Sequence, residues 1–247
     1  MKVPDIGIVL PTYNEAGNIT QLIERLLLVL TDNYSVEVVV VDDDSTDETR
    51  TTVAASFEGD PRVRVIHRTV NRGLAASIRT GIDSISARRV VVMDSDLTHD
   101  PLELPRMLHV AQVFDVVSGS RFCEGGSMAS RRHYIASLSY NWALRVILRT
   151  QIQDNLGGFW TMKRSQLLKL PLDQIFMGYG DYFFRLLRYA ELADLSIVEL
   201  PAVYGSREYG ESKSRFIPML FSYSSSAISL RRQLRGRQMR QQVKLRQ

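Results

Sequence analysis

Cysteine is all but missing. Cys123 is the sole cysteine among 247 residues, which excludes an intramolecular disulfide framework and a multi-cysteine zinc site. Histidine is sparse as well. His67, His99, His109 and His133 stand far apart with no HExxH-type pairing, which argues against zinc hydrolase chemistry and leaves them without an assigned role. Long apolar runs are absent. The longest stretch without a charged residue, Phe216 to Leu230, has 15 residues, five of them serine. A membrane-spanning helix needs about 20 mostly apolar residues. No basic-then-apolar segment opens the chain, where Val3, Pro4 and Asp5 follow Met1 and Lys2. The chain reads as cytoplasmic, without a conventional transmembrane segment. Gly-x-Gly-x-x-Gly, Gly-Lys and Gly-x-Ser-x-Gly do not occur. The dinucleotide fingerprint, the P-loop and the nucleophile elbow are thereby removed.

What is present is the balance of a globular protein, with 45% apolar and 23% charged residues. The length suits one large domain, or one domain with an appendage. Charge is unevenly placed. Of the 31 basic residues, seven (Arg231, Arg232, Arg235, Arg237, Arg240, Lys244 and Arg246) lie after Leu230, where no acid occurs. Residues 1–230 keep 24 basic against 27 acidic groups, a net charge of −3. Residues 1–215 read as the catalytic domain and 216–247 as a basic C-terminal tail. The partner expected for such a tail is an anionic membrane surface, met peripherally, and not nucleic acid.

Hydrophobic periodicity predicts an α/β sheet. Strands are expected at Ile6–Leu10, Val36–Val41, Val63–His67, Val90–Met93 and Val113–Ser118, with further strands at Gly157–Lys163 and, last, Ile197–Leu200. Helices are expected at Asn18–Leu30, Thr46–Phe57, Leu74–Ser86, Pro101–His109, Arg131–Thr150 and Asp181–Ala193. Asn18 and Gln21 resemble a capping box. The stripe Ile135, Leu138, Trp142 and Val146 reads as core-facing. Tyr204 to Arg215 is polar and glycine-containing, the pattern of a mobile loop.

Polar residues cluster after the apolar strands: Pro11-Thr12-Tyr13-Asn14-Glu15, then Asp42-Asp43-Asp44-Ser45-Thr46-Asp47, then Asp94-Ser95-Asp96. In open α/β sheets the ligand crevice lies outside such strand ends. Two carboxylates at i and i+2 past a buried strand suit one hard cation, Mg²⁺ or Mn²⁺, which takes oxygen ligands and leaves room for phosphates. Asp42, Asp44 and Asp47 read equally well as caps of the next helix.

Val9-Leu10-Pro11-Thr12-Tyr13-Asn14-Glu15, Val40-Val41-Asp42-Asp43-Asp44-Ser45-Thr46-Asp47-Glu48-Thr49, Asn71-Arg72-Gly73-Leu74 and Met93-Asp94-Ser95-Asp96 occur in that order. The ordered set closely resembles glycosyltransferase family 2, of GT-A fold. Gly119-Ser120-Arg121, Asp154-x-x-Gly157-Gly158-Phe159 and Arg207-x-x-Gly210-x-Ser212-Lys213 resemble the dolichyl/polyprenyl-phosphate sugar transferase branch, and the likeness runs from about residue 6 to 215. The resemblance implies a mixed, mostly parallel sheet flanked by helices. It implies an inverting transfer from a nucleotide sugar to a polyprenyl or dolichyl phosphate. Pro11, Tyr13, Glu15 and Asp43 would hold the nucleoside, with Asp94, Ser95 and Asp96 beside them. Asp94 and Asp96 would hold the metal, and Arg207 and Lys213 would close over phosphates.

The chain departs from the branch at Thr98, Trp160 and Arg185, where the pattern commonly has Gln, Arg and Glu. A phosphate acceptor attacks without a protein base, because its second pKa of about 6 leaves it ionised. A hydroxyl acceptor needs one, and Asp154 or Asp181 would serve. Arg131 and Arg132 suit either an acceptor phosphate or a solvated helix start. Val90 to Thr98 also fits the strand and DxDxT signature of HAD-type phosphohydrolases, but there that motif opens the fold and an acidic pair follows it. A non-catalytic sugar-nucleotide-binding protein is the remaining alternative.

Overall fold

The computed structural model describes residues 3–205 and 216–244. The chain alternates strand and helix through its first half. Strands β1 (Ile6–Thr12), β2 (Val36–Asp42), β3 (Val63–His67) and β4 (Arg89–Val92) are linked by α1 (Ile19–Leu30), α2 (Thr49–Ser56) and α3 (Leu74–Ser84). A 3₁₀ turn over Pro101–Glu103 leads into α4 (Leu104–Val110) and β5 (Val116–Ser120). The second half holds β6 (Ser127–Met128), α5 (Arg131–Leu148), β7 (Trp160–Lys163), α6 (Arg164–Leu167), α7 (Leu172–Ile175) and α8 (Tyr182–Leu192). It continues with β8 (Ile197–Pro201), β9 (Val203–Tyr204) and α9 (Phe216–Lys244). The main sheet has the order β3-β2-β1-β4-β7-β5-β8, and only β7 runs antiparallel to its neighbours. β6 and β9 form a separate parallel pair.

The sheet separates two cores because successive strand residues point to opposite faces. Ile8, Leu10, Val38, Val40 and Val91 pack against α1 and α4. Val9, Val39, Val41, Val90 and Val92 face α3 and the second-half helices. Each fully buried Val, Leu or Ile contributes about 1.5–3 kcal/mol. On α1 the residues Ile19, Leu22, Ile23, Leu26, Leu27 and Leu30 are all buried, as their spacing predicts. Gly81 lets α3 lie directly on the Val9 side chain, where a Cβ would collide.

Several expectations need correction. The stripe on α5 does not face the core: Ile135 is 56%, Leu138 41%, Trp142 65% and Val146 56% exposed. The buried side of α5 carries Asn141, Leu144 and Leu148. The helix has apolar residues on two sides, so periodicity alone did not choose between them. The Asn18–Gln21 capping box does not form, because Asn18 has helical dihedrals and donates its amide to Glu15 at 2.8 Å. α2 begins at Thr49, not Thr46, since the Asp47 carboxylate accepts from the Thr49 amide and ends the loop there. Asp47 is thus a cap. β5 starts at Val116, and Val113 is 80% exposed in the preceding turn. Ile197–Pro201 is not the last strand, because β9 follows it to pair with β6. These two-residue strands were too short to carry a periodic signal.

Residues 216–244, read from the sequence as a tail, form a helix with one side in the core. Tyr223, Ala227, Leu230 and Leu234 are buried there. The Tyr140 hydroxyl donates to the Leu220 carbonyl at 3.0 Å, and Arg231 donates to the Ile147 carbonyl at 3.0 Å, joining α9 to α5. The expected mobile loop falls mostly on residues 206–215, outside the described residues.

Candidate active site

A cleft of about 1200 Å³ opens at the C-terminal ends of β1, β2 and β4. One end is lined by Pro11, Tyr13, Glu15, Asp43, Asp94, Ser95 and Asp96, which the sequence had singled out from three separate strand ends. The register β1–β2 and β1–β4 brings them together, because parallel strands end on one side of the sheet. The Asp43 carboxylate accepts from Arg68 Nη1 at 2.6 Å and from the Gly73 amide at 2.5 Å. Gly73 has φ +140°, a conformation that its lack of a Cβ permits. Arg72 lies 4.9 Å over the Tyr13 ring, a cation–π contact at the cleft mouth. Asp44 turns away toward His67 and Arg72.

The Asp94–His99 turn is closely held. Ser95 Oγ donates to the Pro11 carbonyl at 2.6 Å, so it ties the turn to the β1 end. Asp96 Oδ1 accepts from the Thr98 amide at 3.2 Å and its hydroxyl at 2.6 Å. The Asp94 side chain is 44% exposed toward the cleft. His99 lies beneath, fully buried, and burial pushes its imidazole down to about 4.

Asp154 is fully buried, with Arg121 Nη2 at 2.6 Å and Nε at 2.7 Å on its two oxygens. Burial alone would lower the Arg121 guanidinium, but Asp154 outweighs it and the group is held above its ordinary value. Arg121 itself lines the cleft. Asp181 accepts from the Tyr179 amide at 2.8 Å, from Arg185 Nε at 3.2 Å and from the Ser226 hydroxyl at 2.6 Å. The unusual Arg185 is therefore the ion partner of Asp181 across one helical turn. The Gly180 amide donates to the Tyr223 hydroxyl at 2.9 Å, which fastens this loop to α9. Arg207 and Lys213 lie outside the described residues.

The other end of the cleft is apolar. Met128, Ala136, Tyr140, Leu156, Met219, Leu220 and Tyr223 line it between α5 and α9. Sequence reasoning assigned none of these, nor Arg68 and His99, to the site. Only Arg121 carried a signal, as part of Gly119-Ser120-Arg121. The rest come from elements that meet only on folding.

The model of glycosyl transferase family 2 matches residues 7–170. The chain belongs to glycosyl transferase family 2. This glycosyltransferase is 34% identical over 212 residues to an undecaprenyl-phosphate mannosyltransferase of Micrococcus luteus, covering 83% of this chain and 85% of the relative. It is 31% identical to a dolichol-phosphate mannosyltransferase of Pyrococcus furiosus, covering 84% of this chain and 58% of that one. A polyprenol monophosphomannose synthase of Mycolicibacterium smegmatis is 32% identical over 83% of this chain and 79% of its own. Among solved structures, glucosyl-3-phosphoglycerate synthase from Mycobacterium tuberculosis, in complex with Mn²⁺, UDP and glucosyl-3-phosphoglycerate, is similar with a TM-score of 0.67. That likeness covers 92% of this chain and 78% of that one at 22% identity. The glycosyltransferase thus has the GT-A fold that the motifs implied.

The donor set of the transferase fits a hard divalent ion. Asp94 and Asp96 offer carboxylate oxygens on one turn, and among the described residues no third His, Cys, Asp or Glu completes a cage. Mg²⁺ and Mn²⁺ suit a site with one or two carboxylates, with water and phosphate oxygens filling the rest. Zinc, which takes nitrogen and sulfur ligands in closed sites, does not.

Proposed function

We propose that this glycosyltransferase moves a sugar from a nucleotide sugar to a polyprenyl phosphate, with inversion by a single displacement. The observation that carries the reading is the two-ended cleft: acidic strand ends at one side, an apolar α5–α9 wall at the other. The names of the relatives in Micrococcus and Pyrococcus support the acceptor class. Pro11, Tyr13, Glu15 and Asp43 bind the nucleoside, with Asp43 fixed by Arg68 and Gly73. Asp94 and Asp96 hold Mg²⁺ or Mn²⁺, which when bound offsets charge on the departing nucleoside diphosphate. Ser95 orients their turn through Pro11. Arg121 presents a permanent cation that Asp154 keeps in place. Arg207 and Lys213 are proposed to add cations over the phosphates. No protein base is required, because a phosphate acceptor is already ionised. The ion pairs that occupy Asp154 and Asp181 support that view over a hydroxyl acceptor. Incubation with a panel of nucleotide sugars, Mn²⁺ and undecaprenyl phosphate tests it. The expected products are nucleoside diphosphate and a lipid-linked sugar. Transfer only to hydroxyl acceptors, or release of inorganic phosphate, would replace the proposal.

We also propose peripheral attachment to anionic membrane. No helix among the described residues is long and apolar enough to cross a bilayer. The exposed row on α5 instead lies beside α9, where Phe221 is 76% and Ile228 42% exposed. Arg132, Arg149, Arg232 and Arg235 are exposed on the same two helices, each worth about 1 kcal/mol at an anionic surface. Removing residues 216–247 would strip Tyr223 and Leu230 from the core, so surface substitutions make the cleaner test. Trp142→Glu combined with Ile135→Glu should weaken co-sedimentation with phosphatidylglycerol vesicles about tenfold, a loss of 1.4 kcal/mol. Unchanged binding would take α5 out of the contact.

A further inference from the structure

The metal reading of Asp94 and Asp96 leaves open what aims them. β1 and β4 stop pairing at Val9 and Val92, so the Asp94 amide lies past the ladder. That amide donates to His99 Nδ1 at 3.0 Å. The imidazole is stacked on Phe159 at 4.9 Å and meets Tyr204 edge-on at 4.5 Å. Its Nε2 faces the Gly157 main chain without a hydrogen bond of normal geometry and stands 3.8 Å from Asp94 Oδ2. The ring therefore spends its one good hydrogen bond on the turn that carries both carboxylates. It is a neutral acceptor there, with the proton on Nε2, because an N–H points at Nδ1.

The rest of the turn depends on that anchor. Leu97 has φ +62°, a left-handed conformation disfavoured for a residue with a Cβ. The Thr98 carbonyl accepts from the Gly205 amide at 3.1 Å, and the Tyr204 hydroxyl donates to the Gly157 carbonyl at 3.0 Å. The turn is thus gripped from β1 by Ser95, from the end of β9 by Gly205 and from within by His99. Only the last grip acts directly on a residue that offers a carboxylate to the metal at its exposed end.

We propose that His99 is a positioning residue for the divalent cation: by accepting the Asp94 amide it sets the direction of the Asp94 carboxylate. The inference rests on the proposed metal role of Asp94 and Asp96. Partners that orient metal ligands typically change affinity about 10–100-fold when lost.

The test separates the acceptor from the ring. His99→Phe keeps an aromatic ring between Phe159 and Tyr204 but removes the acceptor. His99→Asn loses the ring but places an oxygen close to the position of Nδ1. Binding of Mn²⁺, with UDP or GDP present, is followed by the electron paramagnetic resonance signal of free Mn²⁺, and thermal melting is measured alongside. His99→Phe should raise the Mn²⁺ dissociation constant about tenfold or more, and His99→Asn should stay within about threefold of wild type despite a lower melting temperature. A purely structural histidine gives the reverse order, with affinity following the melting temperature, and that result overturns the proposal. Asp96→Asn is the control. If it abolishes Mn²⁺ binding while His99→Phe leaves binding intact, the positioning role alone is refuted. If Asp96→Asn binds Mn²⁺ like wild type, the metal reading falls and the positioning role falls with it.

Discussion

Asp96→Asn is expected to lower kcat by about 10²–10³ while leaving the melting temperature close to wild type. The size follows from the charge removed. Stabilising groups aimed at charge that develops in the transition state are worth about 2.7–4 kcal/mol each when lost. The unchanged fold follows from the local geometry. The asparagine oxygen still accepts from the Thr98 amide and hydroxyl, the two hydrogen bonds that shape the turn at Asp96 Oδ1. Only the negative charge disappears. Raising the Mn²⁺ concentration should recover part of the loss, because the substitution weakens the ion's site and not the nucleoside pocket. Steady-state release of nucleoside diphosphate at several Mn²⁺ concentrations, with a melting curve for each protein, reads both effects. Metal-dependent turnover equal to wild type would remove the carboxylate pair from the chemistry.

Asp154→Asn has the largest expected effect on stability. Asp154 is fully buried and takes two donors of Arg121, the Arg121 amide at 3.1 Å and the Leu156 amide at 3.2 Å. A neutral amide cannot satisfy that set. Its NH₂ group would face a guanidinium that remains charged and almost wholly buried. Breaking a buried pair by removing one partner costs about 3–5 kcal/mol, because the other charge is left uncompensated. For a domain of this size each kcal/mol shifts melting by about 2–4 °C, so the midpoint should fall by roughly 6–20 °C. Activity falls too, since Arg121 lines the cleft, but melting reports the cause. The alternative is a catalytic base for a hydroxyl acceptor. A base would leave melting unchanged and abolish transfer, and that outcome would restore Asp154 to the reacting groups.

The donor half of the cleft was legible in the sequence for a physical reason. Its residues sit directly after buried β-branched strands, and parallel strands must end on the same side of the sheet. Position along the chain therefore nearly dictates position in space for Pro11, Tyr13, Glu15, Asp43, Asp94 and Asp96. The same reasoning recovered α1, whose apolar face has a single direction. It failed on α5, where Trp142 and its neighbours share the helix with Leu144 and Leu148. Which row turns inward depends on what docks against it, and here α9 and the sheet decide that.

His99 shows the other limit. As one of four scattered histidines it had no partner pattern, because its contacts, Phe159 and Tyr204, arrive from β-strand connections far along the chain. Asp154 and Asp181 looked like candidate bases until Arg121 and Arg185 closed on them. The pairing of Asp154 with Arg121 spans 33 residues, and that of Asp181 with Ser226 spans 45. The order of motifs alone settled the family, the sheet and the acidic crevice, since these follow from strand periodicity and what immediately follows each strand. Tertiary structure alone decided which carboxylates are engaged by arginine, which face of α5 meets solvent and how α9 completes the apolar wall. Those depend on long-range contacts between side chains, and local periodicity carries no record of them.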